Sequence, residues 1–157
     1  MAWNGSKVFV RTIFDMLDNA AAFDLGTGGD IPKVALYNNT ITPDATAPSA
    51  STAYNVGQWA TAQEVFQAGQ WAQAGVALSG STLTVSGSTV TYDANDTASG
   101  SAATLSNATG ALVYDDTLTT PVADQGICYN YFGGPNSVTN GSFTVVWNAA
   151  GILRFVA

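Results

Sequence analysis

Carboxylates are the main acid–base equipment of this chain: there are eleven Asp and Glu residues and no His. The lack of His removes every His-dependent base, triad and metal site. Asp115-Asp116 is the one adjacent carboxylate pair. Neighbouring side chains in a strand point to opposite faces, so these two are expected to diverge at a turn instead of flanking one glycosidic bond. An acid/base hydrolase would need Asp93, Asp96, Asp115 and Asp116 to converge in a cleft. Asp93-Ala94-Asn95-Asp96 has a calcium-like spacing but lacks the glycine and terminal glutamate of a calcium loop, so an Asx-type turn is expected. Gly26-Thr27-Gly28-Gly29-Asp30 follows a predicted helix and carries no Lys-Ser/Thr, which makes it a loop and not a phosphate cradle. Cys128 is the single cysteine; set between Ile127 and Tyr129, it reads as a buried thiol. No catalytic residue, metal site or cofactor is expected, and the chain is not expected to be an enzyme.

The elements that would position any site are mostly strands. Asn140-Gly141 between SVT and SFTVVW is a two-residue hairpin signal. Beyond it, Phe143, Val145 and Trp147 alternate with Ser142, Thr144 and Val146. Short runs broken by Ser-Gly pairs fill Val76 to Asp96, and Lys33 to Asn39 reads as a strand ending in an Asn-Asn turn. Residues 40–52 read as an extended connection, and residues 52–78 as irregular chain or short strands. Ser6 to about Phe23 is the helix candidate, with Phe9, Ile13, Met16, Ala20 and Phe23 at helical spacing, Ser6 as N-cap and Gly26 just past its end. This divides the chain into an N-terminal arm and helix (1–30) and a β domain (31–157) within one globular unit. The expected fold is mainly β: an antiparallel sandwich or barrel-like domain of seven to nine short strands with one N-terminal α-helix.

Composition narrows the partners. Of 157 residues only 10% are charged; four are Lys or Arg, and the net charge is −7. So few cations cannot neutralise a nucleic-acid backbone or hold an anionic membrane surface. No window is long and apolar enough for a transmembrane helix, and the N-terminus has no signal-peptide pattern. A surface of Thr, Ser, Asn, Gln and Ala suits nearly neutral contacts with copies of the chain or with a scaffold. Trp3, Phe9, Ile13, Met16, Phe23, Trp59 and Trp71 are the candidate partner-binding residues. The two later tryptophans read either as core or as stacking platforms.

Six segments resemble, in order and spacing, a group of small virion proteins of tailed bacteriophages: VALYNNTITPD (34–44), AYNVGQW (53–59), GVALSG (75–80), YDAND (92–96), LVYDDT (112–117) and YNYFGGPNSVTNGSFTVVWNAAGIL (129–153). The resemblance runs from Ile31 to Ala157 and implies a structural role. It points first to a capsid decoration (cement) protein, a homotrimer on the major capsid protein that stabilises the shell. Such a chain assembles in the host cytoplasm and ends on the virion surface. A tail or head–tail connector component is the alternative, as is a carbohydrate-binding adhesion module using Trp59, Trp71 or Tyr131.

Overall fold

Three runs of this sequence, Val34 to Tyr37, Ala111 to Tyr114 and Ile127 to Tyr129, are apolar at every position instead of at alternate ones. A strand of that kind must be covered on both faces. In the structure, a computed structural model that describes residues 3–26 and 28–157, these runs form the centre of the largest sheet. In chain order the first strands are β1 (Lys7–Val8), β2 (Lys33–Tyr37), β3 (Glu64–Val65), β4 (Val76–Ala77), β5 (Thr82–Ser86) and β6 (Thr89–Asp93). There follow β7 (Thr97–Ala98), β8 (Ala103–Tyr114), β9 (Gly126–Gly141), β10 (Thr144–Val145) and β11 (Leu153–Val156). The helices are α1 (Val10–Leu17) and the single turn α2 (Ser49–Thr52), with 3-10 turns at Gly57–Trp59 and Thr61–Gln63.

The fold is mainly antiparallel β, as expected, but the described residues form eleven strands in three sheets instead of seven to nine. A six-stranded sheet runs β1-β9-β8-β2-β3, with β4 also on β2; β10-β7 and β11-β6-β5 are separate sheets, and none closes into a barrel. Register fixes the two faces of the large sheet. Val34 lies opposite Val113, and Leu36 opposite Ala111; these four join Trp71, Leu78, Tyr92 and Leu105 in one core cluster. Ala35, Tyr37, Leu112 and Tyr129 face the other way, into a cluster with Trp3, Phe9 and Trp59. In that second cluster Trp59 stands edge-on to Tyr37 and to Phe9, with ring centroids 5.1 and 6.0 Å apart. Gly110 is part of this packing, because a Cβ there would run into the Trp3 ring.

Several expectations change. α1 begins at Val10, not Ser6, since Lys7 and Val8 pair with Tyr129 and Cys128. It ends at Leu17 with Asp18 as C-cap, and Asn19 takes the left-handed position expected of Gly26. Lys7 and Val8 are thus built into the sheet. Met1, Ala2 and Thr27 lie outside the described residues.

Asn140-Gly141 is not a two-residue hairpin. Asn140 does have a positive φ of 51°, but β9 continues through it. The pairing steps from Leu105–Val138 to Ala103–Gly141, so one extra residue on β9 forms a bulge. The following strand, β10, pairs with β7 instead of folding back on β9. Its expected alternation holds: Val145 and Trp147 are buried and Phe143 half-buried, while Ser142, Thr144 and Val146 are exposed.

Candidate functional site

α1 is inside out relative to the usual surface helix. Its buried residues are Thr12 and Asp15, whereas Val10, Phe14 and Leu17 are 58%, 49% and 85% exposed. The exposed three recur at i, i+4 and i+7, so they form one apolar stripe on the outer face. The inner face is held by polar bonds to segments far away in sequence. Thr12 Oγ1 donates to the Gly126 carbonyl at 2.6 Å. Asp15 Oδ2 accepts from Ser49 Oγ at 2.5 Å and from Gln125 Nε2 at 2.8 Å. Arg11 Nε closes on Asp15 Oδ1 at 3.1 Å, and its guanidinium lies 4.4 Å from the Phe14 ring centroid. Neighbouring backbone fixes the helix start: Phe9 N–H donates to Ile127 O and Val10 N–H to Ala45 O. A buried carboxylate with two neutral donors and one cation specifies the orientation of the helix, because turning it over would leave the Gln125 amide and the Gly126 carbonyl without these partners in the core.

The expected partner-binding residues divide accordingly. Trp3, Phe9, Trp59 and Trp71 are each 1% exposed or less and belong to the two core clusters, so this chain's own packing uses them up. The reason is the sheet buried on both faces, which needs large side chains on each side. Phe23 is half-buried against the first cluster. Ile13 and Met16 are half-buried at the border of the outer stripe. The apolar surface expected of this set therefore falls to Val10, Phe14 and Leu17. Periodicity showed the helix, but only the contacts to residues 49, 125 and 126 decide which face turns outward.

The carboxylates are engaged separately, apart from Asp115 and Asp30. Asp115 and Asp116 do diverge. Asp116 Oδ2 pairs with Lys33 Nζ at 2.6 Å, whereas Asp115 is fully buried. Asp115 Oδ1 accepts from Thr117 N–H at 2.9 Å and from its hydroxyl at 2.6 Å, and the carboxyl also hydrogen-bonds that of Asp30. Burial pushes Asp115 above its ordinary value, and the neighbouring Asp30 charge pushes in the same direction. Burial also acts upward on Asp30, but hydrogen bonds from the Asp24 backbone, Thr117 and Asp115 outweigh it and hold Asp30 below its ordinary value. The two carboxyls therefore act on each other in opposite directions. Their hydrogen bond ties the 24–30 loop to the end of β8. Gly29 is required there, since a Cβ would strike the Asp24 carbonyl. Asp93 lies in β6 opposite Thr82, and Asp96 Oδ1 accepts the Trp147 N–H at 3.0 Å. Of the four carboxylates named for a hydrolase, Asp96, Asp115 and Asp116 thus serve separate local bonds, whereas Asp93 Oδ1 is buried with no hydrogen-bond partner among the described residues. Among the described residues no group of three or more His, Cys, Asp or Glu side chains could hold a metal.

Cys128 is buried, and desolvation pushes its thiol up to about 12. It is therefore inert at neutral pH. A groove of about 360 Å³ beside β10 is lined by Tyr131, Phe132 and Phe143 with Asn136 and no charged side chain. Tyr131 stacks on Trp3, the planes 16° apart. With Trp59 and Trp71 buried, two of the three aromatics named for sugar stacking are out of reach of a ligand. No helix among the described residues is long and apolar enough to cross a membrane. No protein family, curated protein or solved structure matches the chain.

Proposed function

We propose that this chain is a structural protein of a tailed-bacteriophage virion: a capsid decoration protein that docks on the major capsid protein through the outer face of α1 and associates with copies of itself, the trimer being the form implied by the resemblance. The observation that carries the reading is the stripe of Val10, Phe14 and Leu17, held outward by the buried Asp15 cluster. A chain working alone gains nothing from a rigid helix that turns leucine and phenylalanine to water; an assembly component gains a preformed docking surface. The six sequence segments from 34 to 153 supply the virion setting. Low charge and the scarcity of cations suit docking onto a protein shell and not onto nucleic acid.

Purified protein mixed with undecorated capsids tests this. Saturable binding is expected, with Leu17→Lys weakening it at least tenfold while the melting temperature stays put, because Leu17 is 85% exposed. Absence of binding, together with labelling at the tail or neck of the particle, would replace the decoration reading with a tail or connector component.

A further inference from the structure

The sheet β11-β6-β5 has an open edge at β5, whose pairing partner among the described residues is β6. Every residue from Thr82 to Ser86 is exposed. An edge strand presents a row of unpaired N–H and C=O groups, and chains that work alone blunt it with lysine, proline or a bulge. β5 has none of these: its sequence is Thr-Leu-Thr-Val-Ser, and its ladder with β6 runs from Thr82–Asp93 to Ser86–Thr89 without a shift. Leu83 and Val85 stand on one face of it, 44% and 75% exposed, beside Phe155 across the sheet at 36%.

Charge says what covers this edge. With a net charge of −7 and four cations, two copies of the chain repel over most of their surfaces. Residues 65–92, which include all of β5, hold no charged side chain. A second copy meets no charged side chain on β5 itself, and the free backbone asks for a strand. β5 is also complementary to itself. Antiparallel pairing about Thr84 sets Leu83 opposite Val85 of the second copy and Thr82 opposite its Ser86, with all four apolar side chains on one face.

We propose that β5 is a seam between two copies of this chain, joined antiparallel about Thr84 so that two three-stranded sheets become one of six strands. The inference deepens the self-association in the reading above and rests on that part of it alone. The seam is isologous, so it makes assemblies of an even number of copies, with any three-fold contact lying elsewhere.

Light scattering on the full chain after size exclusion tests the seam. The native protein is expected at an even multiple of the chain mass. Val85→Lys and Leu83→Glu are each expected to halve that mass, with an unchanged melting temperature showing that the fold is intact. The double variant L83E/V85K sets Glu opposite Lys twice in the proposed register and is expected to restore it. A native monomer, a native trimer untouched by Val85→Lys, or a double variant no heavier than the singles would each overturn the seam. Capsid binding separates the two readings: if the halved Val85→Lys protein and the native one both fail to bind capsids, docking falls and the seam stands.

Discussion

The six-stranded and three-stranded sheets are built from the same antiparallel ladders but treat their faces in opposite ways. Residues 34–37 of β2, 108–114 of β8 and 126–129 of β9 are covered on both sides, and Val34, Leu36, Leu112 and Val113 are wholly buried. In β11-β6-β5 only the base is covered, by Tyr92 and Leu153, while Val85 and Val156 lie 75% and 66% exposed. Stability follows burial, so the large sheet and its aromatic layer carry the fold, and the small sheet is free to carry contacts. α1 repeats this division within one element: its polar side is fixed to the core, and its apolar side is spare.

The sharpest way to break the comparison is to cut equally into both sheets. Trp59→Ala empties the centre of the aromatic layer and should lower unfolding free energy by about 3–5 kcal/mol in urea titration. Val85→Lys should change it by less than about 0.5 kcal/mol at concentrations where the chain is monomeric. Similar losses from the two would mean that the small sheet is part of the cooperative core after all.

Asp15→Ala tests the division within α1. It removes the acceptor of Ser49 and Gln125 and leaves buried donors unmatched, at a cost of about 2–3 kcal/mol. If its unfolding free energy equalled that of the native chain, the buried cluster would not be what holds the apolar stripe outward.

A smaller effect should appear with pH at Glu64, on the border strand β3. Its carboxylate accepts from Tyr54 Oη at 2.7 Å and from Ala74 N–H at 2.8 Å, yet burial outweighs both bonds and raises it above its ordinary 4.5. The folded state therefore keeps this proton longer than the unfolded chain does. The stability it lends is full below pH 4.5 and is lost as pH rises through the higher folded value. Glu64→Gln should flatten that part of the denaturant-midpoint profile; a profile parallel to the native one would show that Glu64 does not titrate with folding.

Much of this division is legible in the sequence, and the gaps share a cause. The unbroken apolar runs at 34–37, 111–114 and 127–129 announce a sheet buried on both faces. The Phe143-Val145-Trp147 alternation gives the inner side of its stretch. The helix of residues 10–17 shows in its periodicity, but its orientation does not, because Thr12 and Asp15 find their partners at 126, 125 and 49. Nor can spacing show that Asp115 meets Asp30 in place of Asp116, or that Trp3 lies over Gly110. Local chemistry also misled at Asn140-Gly141: the left-handed residue is there, and a bulge uses it.

That bulge sets where the chain can change length. The ladder pairs Leu105 with Val138 and Ala103 with Gly141, one residue out of step, and the surplus lies at Thr139-Asn140. Loss of the single codon for Asn140 would bring Ala103 opposite the same glycine in an unbroken register, with no neighbouring side chain changing face. The ladder is also out of step between Leu105 and Ala108, between Ala108 and Gly110, and between Val113 and Tyr114, so a one-codon deletion turns core residues out to water where the pairing is regular, as from Gly110 to Val113. Length variants of this protein that keep the sheet should therefore concentrate at such irregularities, Asn140 among them.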